Sequence, residues 1–192
     1  MREQAGRMSR IIADLLELSR LEGAGLTGEQ HVDVSALLDS AANLYADLRS
    51  NPEIVVQAES QEKLLGSAPE LESVIRNLLS NAVRHTPPDG SIQLTWRTGP
   101  EGGELIVADN GEGIAEENIP RITERFFRID QGRSRDDGGV GLGLSIVKHV
   151  LIRHDAELAI ESKPGEGSTF RFVFPAAAVM RKDMITDRLA AG

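Results

Sequence analysis

The hydrophobic period of this chain changes at Pro87-Pro88-Asp89-Gly90. Before that break, Leu71, Val74, Ile75, Leu78, Leu79 and Ala82 recur at three- and four-residue steps, which predicts a helix over 69–85 with one buried stripe. Pro69 suits its first turn, and Glu70 and Glu72 sit near its positive end. After the break, Ile92, Leu94 and Trp96 alternate with polar residues, which predicts a half-buried strand over 91–98. Further strands read at 54–58, 63–66, 104–108, 157–161 and 168–174. A helix capped by Asp33 or Ser35 runs to about Arg49, where Asn51-Pro52 stops it. Short helical pieces surround Pro120 within 115–127, a polar glycine-rich loop spans 128–139, and a helix covers 142–153. The sum is an α/β two-layer sandwich, a mixed sheet with helices on one face, preceded by an N-terminal helix and closed at Pro175.

With 192 residues, the chain is one domain with a short appendage. Hydrophobic residues make up 40% and aromatics only 4%, so the core is aliphatic. The absence of cysteine excludes a disulfide scaffold, a thiolate zinc site and a cysteine nucleophile. No apolar run approaches the ~18 residues that a membrane helix needs. A formal charge of -9 argues against nucleic acid as a partner. Against that background Arg121, Arg125, Arg128, Arg133 and Arg135 make one stretch locally basic. Residues 2–22 read as a helix whose stripe includes Met8, Ile11, Leu15 and Leu18, an a/d spacing, before Gly23, Gly25 and Gly28 break it. That stripe has two readings: it packs on the domain that follows, or it forms a bundle with another chain.

The glycine-rich segments raise the question of a phosphate site, and the common solutions fail. No P-loop is present; Gly111 and Gly113 are followed by Glu116, and Gly139 and Gly141 by Leu144, where a dinucleotide fingerprint needs a third glycine. The H-R-D and D-F-G marks of protein kinases are absent. Three other features stand out. Asn77 and Asn81 lie one turn apart on the same helix face; two such amides either bond to backbone or offer oxygen to a hard cation such as Mg²⁺. Asp109 ends a strand, followed by Asn110-Gly111-Glu112-Gly113; this is an ordinary turn, or a carboxylate that accepts a hydrogen bond from an exocyclic amine while the glycines admit a flat base. Gly138–Leu144 runs directly into a helix, so it is a plain flexible lid or a set of free amides that cradle phosphate.

In this order and spacing these blocks resemble the catalytic and ATP-binding domain of bacterial sensor histidine kinases, whose fold is of the Bergerat or GHKL ATPase type. Asn77–Pro87 matches the N box, Asp109–Ile114 the G1 box, Glu124–Arg128 the F box and Gly139–Val147 the G2 box. Leu15–Glu22 resembles the end of the second dimerisation helix, and Thr123–Asp130 and Lys148–Glu161 are similar to phosphate-regulon sensor kinases. The resemblance divides the chain into the end of the dimerisation region (1–24), a linker (25–32), the catalytic domain (33–175) and a C-terminal tail (176–192).

The resemblance also implies roles. Asn81 ligates the Mg²⁺ that bridges the triphosphate of ATP, with Asn77 beside it as a catalytic and binding residue. Arg84 contacts phosphate and His85 lines the pocket. Asp109 reads adenine N6, with Gly111 and Gly113 beside the base. Arg128 sits near the terminal phosphate in a catalytic role; Phe127 borders the nucleotide, although Phe126 or Phe127 is equally a core anchor for the lid. Gly139, Gly141, Leu142 and Gly143 close over the phosphates. The phenylalanine that opens the family's F box is Thr123 here, which loosens that anchor. Relatives that hydrolyse ATP carry a glutamate where this chain has Asn77, a neutral amide that cannot take a proton from water.

The phosphoacceptor motif S-H-E-x-R-T-P of such kinases does not occur in this chain. His31 falls in the linker, His85 in the N box and His149 in the helix after the lid. His154-Asp155 imitates the acceptor pair, but Glu157 follows in place of a basic residue. The resemblance therefore implies the C-terminal part of a longer kinase, which binds Mg-ATP and does not label itself. Its partners are the phosphoacceptor helix of its own homodimer and a cognate response regulator. It is a cytoplasmic domain of a protein anchored in the bacterial inner membrane. The rival functions are a nucleotide-dependent interaction module without catalysis and an anti-sigma-type serine kinase.

Overall fold

The computed structural model describes residues 2–23, 28–46, 52–129 and 140–180. The elements are α1 (Arg2–Gly23), β1 (Gln30–Val32), α2 (Val34–Ala46), β2 (Glu53–Ala58), β3 (Lys63–Gly66), α3 (Ala68–His85), β4 (Ser91–Gly99), β5 (Gly102–Asp109), α4 (Gly143–Arg153), β6 (Glu157–Lys163), β7 (Gly167–Pro175) and β8 (Val179–Met180). A single 3-10 turn, Glu116–Asn118, represents the helical pieces expected around Pro120. Of the two candidate caps for α2, Asp33 is the one used: its Oδ1 accepts the Ala36 amide at 3.0 Å, whereas the Ser35 hydroxyl donates to the Ser60 carbonyl. The expected end of α2 at Arg49, the loop residues 130–139 and the last part of the tail (181–192) lie outside the described residues.

The main sheet runs β2-β4-β5-β7-β6, with β2 parallel to β4 and all other pairs antiparallel. One face carries Ile92, Leu94, Trp96, Leu105, Val107, Phe170, Phe172 and Phe174, all buried. Helices α2, α3 and α4 are the layer that covers this core. The opposite face is polar, with Gln93 donating to Gln57 and Arg97 paired to Glu104. The alternation read at 91–98 thus separates core from solvent, as a one-sided antiparallel sheet requires, and β7 shows the same pattern.

Two expectations about the chain's margins change. Part of the segment expected as linker is β1, which pairs antiparallel with β3. Pro175 does not end the fold either: Val179 and Met180 form β8 on the other edge of β3, opposite Leu64 and Lys63. The unpaired edge of a short strand such as β3 gains hydrogen bonds from both neighbours, which draws flanking chain into a second small sheet.

The strand expected at 104 begins two residues earlier, because Gly102 and Gly103 pair with Gly99 and Thr98 on one side and with Pro175 and Phe174 on the other. Trp96 is fully buried, donates its indole N–H to the Glu62 carbonyl at 3.1 Å and meets Phe174 edge-on at 6.4 Å between ring centroids. Gly103 passes over the indole so closely that a Cβ there would lie 2.3 Å from the ring. Gly103→Ala is expected to destabilise the fold by about 1–3 kcal/mol, because a close-packed core cannot absorb a methyl group without strain. Urea unfolding, with the m-value unchanged, measures it.

The first reading of the N-terminal stripe, packing on the domain, holds for the end of α1. Leu18 and Leu21 are buried against the domain. Arg153 donates to the Leu21 carbonyl at 3.2 Å, Arg125 pairs with Glu22, and Arg76 lies 3.7 Å from Glu17. Met8, Ile12, Leu15 and Leu16 remain exposed. Leu18 therefore leaves the expected a/d seam and turns inward. Among the described residues no helix is long and apolar enough to cross a membrane.

Candidate nucleotide site

Helix α3 carries the two asparagines, and their surroundings differ. The Asn77 amide donates to the Ser73 carbonyl at 2.9 Å and lies 3.3 Å from the Ser73 hydroxyl. Its Oδ1 faces Gly143, where a Cβ would lie only 2.8 Å away. Asn77 therefore satisfies the backbone-bonding reading within α3, and its side chain packs closely against the start of α4. Asn81, one turn on and half-buried, has no side-chain hydrogen bond among the described residues. A half-buried amide with unused capacity is the opposite of what a structural asparagine shows. Arg84 and His85 end the helix and are exposed, where the charge of Arg84 also complements the helix terminus.

Beyond α3 lies the end of β5. Asp109 Oδ1 accepts the Gly111 amide at 2.9 Å. Burial raises the Asp109 carboxyl above its ordinary range; hydrogen bonds from the Gly111 and Ser168 amides, and His85, pull the other way, while the nearby Glu112 adds to the rise. The loop that follows is gripped from both sides. Glu112 donates its amide to the His85 carbonyl at 3.0 Å, and Glu112 Oε1 meets His85 Nδ1 at 2.5 Å. Gly111 has no room for a side chain because the His85 carbonyl lies 2.2 Å from the Cβ position. Gly113 has φ 68° and abuts the Lys163 carbonyl, so both glycines are steric requirements.

The third wall is the turn into α4. Gly141, at φ 78°, accepts the Phe126 amide at 2.9 Å, and Phe126 itself has φ 62°. These contacts clamp together the two chain ends that flank residues 128–140. Phe127 packs against the core with the Arg121 guanidinium 4.4 Å above its ring, whereas Phe126 is exposed. Phe127 is thus the anchor of the pair. The Leu142 side chain is also a core residue, 1% exposed; it joins the wall through main chain, and its carbonyl accepts from Ile146 and Ser145. Arg128, half-buried, lines a cavity of about 470 Å³ with Asn118, Arg121 and Arg125. Gly139 lies outside the described residues.

The acceptor mimic is a structural histidine. His154 Nε2 accepts the Ser67 amide at 3.2 Å, and Nδ1 lies 2.9 Å from the Val150 carbonyl, so each ring nitrogen has a partner in the core. His149 instead faces Glu22 and Arg125 at the end of α1. Sequence reasoning missed the β6–β7 hairpin as part of the site, although Gly165 and Gly167 bracket its turn and each has a positive φ. A Cβ on Gly167 would lie 1.9 Å from the Asp109 carbonyl oxygen.

An α/β sandwich that brings an asparagine-bearing helix, a strand-end aspartate and a glycine-hinged helix start to one side defines a class of ATP-binding domain. The chain belongs to the histidine kinase-, DNA gyrase B- and HSP90-like ATPase family, which residues 66–178 match. It is 46% identical over 182 residues to the phosphate regulon sensor protein PhoR of Pseudomonas aeruginosa, covering 93% of this chain and 41% of that protein. It is 41% identical over 176 residues to the sensor-like histidine kinase SenX3 of Mycobacterium tuberculosis, covering 90% of this chain and 43% of that one. The chain therefore spans about two-fifths of the length of these curated relatives. Among solved structures, full-length ShkA in complex with AMPPNP superposes with a TM-score of 0.76 at 28% identity, over 91% of this chain and 38% of that one. The mycobacterial sensor histidine kinase MprB superposes with a TM-score of 0.66 at 28% identity, over 77% of this chain and 97% of that one.

Proposed function

We propose that this chain is the catalytic part of a sensor histidine kinase that binds Mg-ATP and passes the γ-phosphoryl group to a histidine outside the chain. The observation that carries the kinase reading is Asn77. At the position from which hydrolysing relatives activate water stands a neutral amide already bonded to Ser73, which accepts no proton. Without a base for water, bound ATP is kept for an imidazole nucleophile, which needs none. That nitrogen attacks the γ-phosphorus, the β–γ bridging P–O bond breaks, and ADP leaves. The AMPPNP of the ShkA complex supports an adenine nucleotide as ligand.

Each residue has a part in this reading. Asp109 accepts the adenine amine, with Gly111 and Gly113 giving the base access to the main chain. His85 borders the pocket opposite, held by Glu112. Asn81 offers a hard, unpartnered amide oxygen, which fits Mg²⁺. When bound, Mg²⁺ neutralises phosphate charge. Arg84 and Arg128 supply further positive charge, and Gly141, Leu142 and Gly143 present main-chain amides at the start of α4. Gly139 belongs to the same segment by sequence. Phosphoryl transfer is mostly positioning and charge neutralisation, which such a set provides.

The exposed row Met8, Ile12, Leu15 and Leu16 supports α1 as the end of a dimerisation helix, with a homodimer and a response regulator as the partners of the whole protein. The likeness to a phosphate regulon sensor protein supports a phosphate-responsive pathway; a cytoplasmic position within a membrane-anchored sensor is part of the same proposal. Incubation with labelled ATP and Mg²⁺ tests the proposal. The chain alone is expected to bind nucleotide and remain unlabelled. A supplied helix carrying an S-H-E-x-R-T-P sequence is expected to acquire acid-labile label. Stoichiometric labelling of the chain alone would overturn the acceptor assignment; binding without transfer to any supplied helix would favour the interaction module.

A further inference from the structure

The geometry points to Ser162, on β6, as a positioning residue for the base-reading loop, acting through Ser168 and Asp109 without touching the nucleotide. This inference rests on the nucleotide reading above. The Ser162 hydroxyl accepts the Ile114 amide at 2.7 Å, donates to the Gly167 carbonyl at 2.9 Å and lies 2.9 Å from the Ser168 hydroxyl. One proton and two lone pairs satisfy all three, with Ser168 donating. Ser168 in turn sits directly opposite Asp109 in the pairing of β7 with β5. One hydroxyl thus joins both ends of the loop that starts at Asp109 and ends at Ile114. The hairpin adds two further restraints: Gly165 donates to the Glu112 carbonyl at 2.8 Å, and Gly113 rests on the Lys163 carbonyl.

The physical consequence concerns selectivity as well as affinity. Adenine offers an amine donor to Asp109, where guanine presents a carbonyl oxygen. Discrimination between them depends on a carboxylate held at a fixed distance and angle. Loss of the Ser162 hydroxyl frees the Ile114 amide and the Ser168 side chain together, so the loop that carries the carboxylate loses its tie to the β6–β7 hairpin.

Calorimetric titration of the full chain with Mg-ATP and Mg-GTP tests this, using Ser162→Ala, Ser162→Thr, Ser162→Val and, as a control, Asp109→Asn. Ser162→Ala is expected to weaken ATP roughly fivefold with little change for GTP, the scale of one or two polar contacts. Ser162→Thr is expected to restore the ATP preference. Ser162→Val, equal to threonine in shape but lacking the hydroxyl, is expected to behave as alanine, and this pair decides the matter if the alanine variant does not fold. An unchanged ATP-to-GTP ratio in the valine variant overturns the role of Ser162, as does an equal loss for both nucleotides, which would mark plain loosening. If Asp109→Asn collapses the ratio in the same experiment, the nucleotide reading survives that failure. If the unaltered chain binds neither nucleotide, both readings fall.

Discussion

Asp109→Asn is expected to weaken Mg-ATP binding by about tenfold to 100-fold while making the nucleotide-free protein more stable. The affinity estimate is that of a lost hydrogen bond to a charged group, about 1.5–3 kcal/mol. Asparagine keeps an oxygen for the Gly111 amide but turns an NH₂ group toward the adenine amine, so donor faces donor. The stability gain follows from the carboxyl's raised pKa. A carboxyl whose pKa is higher folded than unfolded stabilises the fold below the unfolded value and loses that contribution as pH rises through the folded value. Ionised Asp109 is thus a cost that the fold bears for its ligand. Thermal unfolding of both proteins is expected to show a higher Tm for the variant at pH 8 and a closing gap toward pH 4. ATP affinity of the unaltered chain is expected to fall as acid protonates Asp109, a dependence that the variant lacks. A variant with full affinity would remove Asp109 from the site.

Asn81→Ala is expected to abolish the Mg²⁺-dependent part of ATP affinity, about tenfold or more on the scale of a charge-assisted contact. The fold is expected to be unharmed or slightly stabilised. Asn81 has no hydrogen bond among the described residues, and alanine is the better helix former by about 0.5 kcal/mol. Titrations with Mg²⁺ and with a chelator measure the increment, and urea unfolding measures the stability. The neighbouring Asn77→Ala has the opposite profile, because Asn77 holds Ser73 and abuts Gly143. It is expected to lose stability. Two asparagines one turn apart are thus separated by experiment into a tether and a ligand donor. Equal Mg²⁺ dependence in Asn81→Ala and the parent chain would remove the metal assignment.

Much of this was legible before any coordinates. The stripe Leu71–Ala82 and the alternation at Ile92–Trp96 each mark one buried face, and those faces meet in the core. Local chemistry narrowed the cap of α2 to Asp33 or Ser35, and it singled out the glycines at 111, 113 and 141 for access to a ligand; the contacts with His85, Lys163 and Phe127 that require glycine came only with the structure. Less legible were features that depend on partners far along the chain. β1 and β8 are too short to carry a period, and they exist because β3 has two edges to fill. Leu18 fits a coiled-coil seam by spacing, yet packing and the Arg153 and Arg125 contacts at Leu21 and Glu22 turn it inward. His154 imitates an acceptor in sequence and proves to be a core residue, because Ser67 and Val150 fold against its two nitrogens.

The order of residue types by itself determined the layer architecture, because periodicity acts over a few neighbouring residues, while the four blocks of the candidate site were marked by their resemblance to the family's boxes. Only the tertiary structure decided which asparagine is tethered, which phenylalanine anchors, and that a serine 53 positions after Asp109 bonds to the end of its loop. Those roles depend on which groups find hydrogen-bond partners across the packed layers, and that is settled only once distant segments share one volume.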